Sequence, residues 1–414
     1  MSHTQEIMHP VQDPPRRRRR PGKWLTATII VLCSGALFAA WCVHDALSTP
    51  GDDGAAVKLA EWGRDHHLGP IVTGLESIQY KLSPPAVGGA PDMALLAAAA
   101  SQTPTPNPAD SPQATPSGSS GSGSPSASPS SNSTGPTVVI HEPMTPPVAP
   151  ALAGEGVFVA AGDTAQGPLL QTTFVRPDSV HTSFLTGVAW LSHTLRFELH
   201  PGFQDPGPSS SWTQPFRVAP SSYPQLMATF NSGFKIKDAG GAYYDHGHLV
   251  GTLAAGAATA VIYKDGHLDV GAWGADLKMT KDVAYVRQNL KPLISAGKLA
   301  PNLDSNVESN WGATLGGAYS VWRSGLGVTK EGDIVYVMGD AMSVADLADI
   351  LQRAGAVNAM QLDINRAWVS FMSYQASGTG ASVTAHKLGE FERPANRYLE
   401  NTSRDFFVVL RPGR

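Results

Sequence analysis

The segment Gln361-Leu362-Asp363-Ile364-Asn365-Arg366-Ala367-Trp368 sets a carboxylate, an amide, a guanidinium and a large aromatic directly behind the apolar run Ala356-Val357-Asn358-Ala359-Met360. A run of that length after a helix reads as a buried strand. Polar groups at the C-terminal end of such a strand stand where open α/β architectures place ligands. Asp363 is either functional or tied into an ion pair with Arg366 or Arg323, because burying a lone carboxylate is costly.

Two other segments carry chemistry. Asn231-Ser232-Gly233-Phe234-Lys235 follows the apolar strand Leu226-Met227-Ala228-Thr229-Phe230. It reads as a turn, or as an amide offered to a ligand with Gly233 letting the backbone come close. Arg323-Ser324-Gly325-Leu326-Gly327 follows a strand carrying Trp322. An Arg flanked by glycine there can grip a phosphate or carboxylate bidentately, or it is a surface residue of a hairpin loop. Asp245-His246-Gly247-His248 places two His on one strand face, but no third ligand accompanies them, so no metal and no other cofactor is expected.

These residues need a scaffold of short strands. Ala260–Tyr263 and Leu268–Val270 flank Asp265-Gly266, a strong hairpin signal. Tyr319–Trp322 is expected to pair with Ile334–Val337 across Glu331-Gly332. Ser343 opens the clearest helix, with Asp346 at the capping-box position. Val344, Leu347, Ala348, Leu351 and Ala354 form its apolar face, and Gly355 closes it. A second helix is expected over Thr280–Leu290, stopped near Pro292. With 42 Gly, 33 Pro and only 15% charged residues, the pattern is α+β with a mixed, mostly antiparallel sheet and a few packed helices.

The formal charge of −4 gives no reason to expect a nucleic-acid partner. Residues 1–23 form a basic tail with Arg16–Arg20 as five consecutive cations. Trp24–Val43 follows without a charge, and as a helix at 1.5 Å per residue it is about 30 Å long, one hydrocarbon thickness. The basic flank predicts a cytoplasmic N-terminus and an extracytoplasmic remainder, with the span acting as a signal-anchor because no Ala-x-Ala site follows. Both cysteines, Cys33 and Cys42, fall inside the span, so no disulfide is expected beyond it. Residues 44–100 read as a helical juxtamembrane stalk and 101–150 as a Ser/Pro/Gly-rich spacer that cannot order itself. Residues 151–414 are long enough for one core.

Taken together and in this order, the three motifs resemble the phosphodiester glycosidase family. Asn231-Ser232-Gly233-Phe234-Lys235 stands in the place of its Asn-Gly-Gly-Phe-Phe. Arg323 stands before Gly325 and Gly327 at the family's strand–turn–strand Arg, and the helix opening Met342–Ala348 follows. Gly355-Ala356 then leads to Leu362-Asp363, where the family continues Gly-Gly-Gly-Ser and this chain continues Ile364-Asn365-Arg366-Ala367. The resemblance, over roughly residues 227–374, implies hydrolysis of a sugar-1-phosphodiester of an envelope glycan or polymer. It implies Asp363, Arg323 and Asn231 as catalytic residues, and Lys235, Gly233, Arg366 and Asn365 as substrate contacts. Glu308 or Asp340 would supply any second carboxylate. The rewritten glycine loop supports an alternative: an inactive module that binds envelope glycan or an anionic polymer. A third expectation is a structural protein docking a partner through 54–82. The sequence sets no oligomeric state.

Overall fold

The computed structural model describes residues 23–48, 54–100 and 140–412, apart from 163, 165–166, 306, 315–317 and 379. Almost all of the basic tail and most of the spacer therefore lie outside the described residues. The chain divides into two units, Met1–Thr49 and Pro50–Arg414. The first contributes α1 (Lys23–Ser48). The helix contains the span expected at Trp24–Val43, and its Ile30–Ser48 portion is long and apolar enough to cross a membrane.

The second unit opens with α2 (Ala55–Asp65), α3 (Gly69–Leu82) and α4 (Met93–Ala100). It continues with β1 (Val159–Ala160), β2 (Leu170–Val175), β3 (Thr186–Leu191), β4 (Arg196–His200) and β5 (Leu226–Asn231). Next come α5 (Ile236–Ala239), β6 (Ala242–Asp245), β7 (His248–Gly251), β8 (Ala258–Tyr263), β9 (Leu268–Ala272) and β10 (Val283–Gln288). Then follow β11 (Pro292–Ser295), β12 (Lys298–Leu299), α6 (Glu308–Trp311), β13 (Val321–Thr329) and β14 (Ile334–Met342). The last elements are α7 (Val344–Arg353), β15 (Ala356–Gln361), β16 (Phe371–Ala376), β17 (Val383–Lys387) and β18 (Phe406–Leu410).

The strands form three sheets, ordered β1-β2-β3-β14-β13-β15-β11-β12, β7-β6-β10-β8-β9 and β17-β16-β5-β18-β4. Each ladder between these strands is antiparallel, and parallel contacts are isolated bridges such as Asp205 with Arg404. The eight-stranded sheet is covered on both faces. On β14, Val335 and Val337 face α7, while Ile334, Tyr336 and Met338 join the larger core with Phe230, Phe371 and Phe407. That alternation is the period-2 geometry of a strand. Helix α7 is capped as its sequence dictates: Ser343 Oγ accepts the Asp346 N–H, and Asp346 returns to the Ser343 N–H. Its buried Val344, Leu347, Ile350 and Leu351 contribute about 1.5–3 kcal/mol each.

Two expected elements are corrected. Residues 283–288 are strand β10, fully buried between β6 and β8, rather than helix. Val283-Ala284-Tyr285-Val286 is β-branched and aromatic, and a short apolar run does not distinguish strand from helix by spacing alone. Arg323–Gly327 lies inside β13 rather than after a strand, because β13 and β14 run nine residues each and pair from Val321↔Met342 to Val328↔Ile334. The Asp265-Gly266 hairpin stands as expected between β8 and β9.

Helices α2, α3 and α4 account for most of residues 54–100, and this segment packs on the body. Tyr80 Oη donates to the Ser320 carbonyl at 3.1 Å, Thr182 Oγ1 donates to the Gly89 carbonyl at 2.8 Å, and Leu96 is buried. The chain that 101–139 joins is therefore packed on both sides of it within one unit.

Candidate active site

The ends of five strands from all three sheets meet at one place: the C-terminal ends of β5, β10 and β15, the early part of β13, and the start of β18. Asp363, two residues beyond β15, is buried there. Its Oδ1 accepts the N–H groups of Ile364 and Asn365 at 2.8 and 2.9 Å, and its Oδ2 lies 3.8 Å from Arg404 Nη2. Burial pushes its carboxyl up; Arg404 and the two amides offset that only in part, leaving it at about 6. The backbone at Asp363 is tied to β13, since the Ser324 N–H donates to the Asp363 carbonyl at 2.8 Å.

Arg404 stands between two carboxylates, with Asp363 on one side and Asp205 Oδ2 4.0 Å from its Nε on the other. Its guanidinium also lies over the Trp368 ring, 5.1 Å from the centroid. Burial lowers its pKa, but Asp363, Asp205, Glu61 and Asp405 outweigh burial and hold it above the usual range. Beside it, Arg287 Nε donates to Asp405 Oδ2 at 2.7 Å. The two arginines fix consecutive carbonyls of the loop after β5: Arg404 Nη2 donates to Gly233 O at 3.1 Å, and Arg287 Nη2 donates to Phe234 O. Burial raises the Asp205 carboxyl, and Arg404 counters only part of that rise.

The residues expected from the sequence divide into two groups. Asn231 and Asp363 meet on one hydroxyl: Asn231 Nδ2 and the Asp363 N–H donate to Ser324 Oγ at 3.0 and 3.2 Å. The Asn231 amide is nonetheless occupied by the protein, because Nδ2 also reaches Ser232 O while Oδ1 accepts Tyr336 Oη and the Ser370 N–H. It positions the site rather than facing a ligand. Gly233 lies close to a protein side chain, since a Cβ there would meet Asn289 Cγ at 3.2 Å. Lys235 also lies here, its Nζ 2.5 Å from Glu61 Oε2 of α2.

Arg323, Arg366 and Asn365 do not face the site. Arg323 is fully buried on the α7 face of β13, opposite Ser324, and donates to Met342 O, Gln361 Oε1 and Tyr319 O. Strand alternation separates it from Asp363. Burial lowers its pKa to about 10. Arg366 is exposed, with Glu392 Oε2 at 3.7 Å. Asn365 caps its own turn by accepting the Ala367 N–H at 2.9 Å. Glu308 is exposed on α6. Asp340 is half-buried beside the Ala341 amide, and burial raises its carboxyl. The carboxylate nearest the Asp363–Arg404 pair on the far side is Asp205 instead. His246 and Gly247 form the tight β6–β7 turn, and among the described residues no group of three His, Cys, Asp or Glu side chains gathers to hold a metal.

Sequence reasoning missed Arg404, Asp405, Arg287, Asp205 and Asn289. One signal was available: the charged pair Arg404-Asp405 directly precedes the apolar strand Phe406–Leu410. Nothing local marked Asp205. Three buried polar atoms around the site have no hydrogen-bond partner among the described residues: Ser232 Oγ, Asn289 Oδ1 and Arg404 Nε. Buried polar atoms are ordinarily satisfied, so a cluster of such atoms marks a place suited to a polar ligand. A cavity of about 480 Å³ is lined in part by Asp205, the partner of Arg404, and by Lys235, Lys237, Gly241 and Thr252.

A carboxylate near neutrality beside a buried guanidinium, with Asp205 next to that guanidinium on the wall of a cavity, is the equipment of a hydrolase or binder of anionic substrates. Comparison narrows this class: the phosphodiester glycosidase family model matches residues 225–363. That segment carries the Asn231, Arg323 and Asp363 motifs, and the match stops where this chain departs from the family's glycine loop. The resemblance read from the motifs holds for this segment. Among solved structures, the chain is similar to the catalytic domain of zebrafish N-acetylglucosamine-1-phosphodiester alpha-N-acetylglucosaminidase, auto-inhibited by its pro-peptide. The identity is 15%, over 62% of this chain and 88% of that one, with a TM-score of 0.39. It is also similar to a hypothetical protein from Synechocystis, with 12% identity over 59% of this chain and 63% of that one and a TM-score of 0.31. A search of curated proteins returns no match.

Proposed function

We propose that this chain is a membrane-anchored phosphodiester glycosidase that cleaves a sugar-1-phosphodiester of an extracytoplasmic envelope glycan or polymer. The observation that carries the reading is Asp363: a buried carboxylate poised near neutrality, fixed by two backbone amides and set beside Arg404. A phosphomonoester is a good leaving group, so cleavage needs an anion site and one carboxylate at the anomeric carbon. Asp363 acts there as nucleophile or as base toward water. The bond from C1 to the phosphate oxygen breaks, the phosphomonoester departs with the electron pair, and water supplies the hydroxyl that completes the sugar. Arg404 balances the departing phosphate. Asp205, across Arg404 from Asp363, is the candidate second carboxylate. Ser232 Oγ and Asn289 Oδ1 are placed to bond sugar hydroxyls.

The test is release of phosphomonoester from a sugar-1-phosphodiester by the full chain. Asp363→Asn is expected to lower turnover by at least a hundredfold, with substrate binding retained. Turnover undiminished by that substitution would overturn the assignment. One observation favours the second reading, an anionic-polymer binding module: Ile364, Asn365 and Arg366 replace the glycine loop, and the first two amides turn inward to Asp363. Binding of polymer with no product release would support it.

A further inference from the structure

Helix α2 is held to the body in an unusual way. Among its described residues only Glu61 and Gly63 are buried, while Leu59 is 38% exposed. Its most deeply buried side chain is thus a carboxylate, and Glu is seldom buried unless paired. The partners of Glu61 are cations: Lys235 Nζ at 2.5 Å on Oε2 and Arg64 Nη1 at 3.1 Å on Oε1. Arg404 adds its field to Glu61, and the Glu61 charge in turn acts on Asp363. Burial raises the Glu61 carboxyl, yet Lys235, Arg404 and Arg64 together hold it below the usual carboxylate range. Glu61 is therefore an anion seated against Lys235 and within the electrostatic reach of Arg404 at the candidate active site. Lys235 also lines the cavity and stands where the family motif has an aromatic.

We propose that Lys235 and Arg404 form a subsite for an anionic group of the ligand, phosphate or carboxylate, and that Glu61 is its intramolecular occupant. Ligand anion and helix α2 then compete for one place. This deepens the reading of the Asp363 site and rests on it only in taking that site to bind an anionic ligand. A helix secured by an ion pair rather than by an apolar face is suited to such exchange, because its detachment exposes little apolar surface. Where an ion pair is purely structural, the same contact would instead fix α2 permanently.

The experiment uses the full chain in detergent with inorganic phosphate as the probe, so no turnover is needed. Glu61→Gln is expected to tighten phosphate binding at least tenfold by titration calorimetry, and adding Lys235→Met to that variant is expected to abolish the gain. Hydrogen exchange on the unsubstituted chain guards against a variant that fails to fold: phosphate is expected to speed amide exchange in residues 55–65. Phosphate affinity unchanged by Glu61→Gln in a folded protein, or exchange in 55–65 unaltered at saturating phosphate, would overturn the proposal. Because both assays read binding alone, either result is independent of whether the chain hydrolyses anything.

Discussion

At the residue scale, Asp363 ties stability and activity to pH in opposite directions. Its folded pKa of about 6 lies above the ordinary carboxylate range near 4. The folded state therefore favours the protonated form. That contribution is fully present below the unfolded pKa and is lost as pH rises from about 4 through about 6. Ionisation is nevertheless what a nucleophile or base requires. The expected outcome is that kcat/KM climbs with pH and levels off above about 6. Over the same interval, stability relative to Asp363→Asn falls by roughly 2–3 kcal/mol, since each pH unit between the unfolded and folded pKa is worth about 1.4 kcal/mol. Denaturant melts of both proteins at pH 4 and pH 7, beside a pH–rate profile, check the pair. A flat stability difference across that range would place the Asp363 carboxyl in its ordinary range and remove the physical basis for its role.

At the element scale, the sequence was most legible where local chemistry and tertiary packing agree. The Ser343 capping box, the Asp265-Gly266 hairpin and the strand behind Asp363 all follow from neighbours in the chain. It was least legible where a side chain's direction depends on long-range register. Arg323 was expected at a loop with its guanidinium on a ligand; a nine-residue β13 instead turns it toward α7. Arg404 and Asp205 were invisible because they come together only when the 202–206 loop pairs with 402–404. That pairing depends on Gly202, where a Cβ would meet Ser403 O and Arg404 C at 2.4 Å. The neighbouring Phe203, Gln204 and Asp205 amides bond Thr402 and Ser403 carbonyls at 3.0–3.1 Å. Gly202→Ala is expected to destabilise by about 1–3 kcal/mol, because backbone rather than a flexible side chain must move. Turnover should fall further than stability accounts for, as Asp205 is drawn off Arg404. A urea midpoint shift at unchanged slope reads the first effect; a neutral substitution would show that the loop adapts and that the pairing does not position the site.

At the scale of the whole molecule, composition divided the chain more simply than folding does. Residues 44–100 and 101–150 were expected to act in series as stalk and spacer, holding a domain away from the bilayer. Packing of α2–α4 onto the body puts 101–139, in chain order, between two parts of one unit. The candidate membrane segment is α1. Its Ile30–Ser48 portion passes the length and composition test, and its Ile30, Val31, Leu37, Phe38 and Trp41 side chains are exposed. An exposed apolar surface of that extent on a helix is stable in hydrocarbon and costly in water. Arg16–Arg20 lie N-terminal to it and favour a cytoplasmic N-terminus. The full chain is therefore expected to sediment with membranes and to resist extraction by alkaline carbonate, whereas a chain beginning at Pro50 is expected in the soluble fraction with phosphate binding intact. Release of the full chain by carbonate would show that α1 does not span the bilayer. A Pro50 form that stays on membranes would instead assign the attachment to the second unit, and the exposed face of α1 would then need another partner.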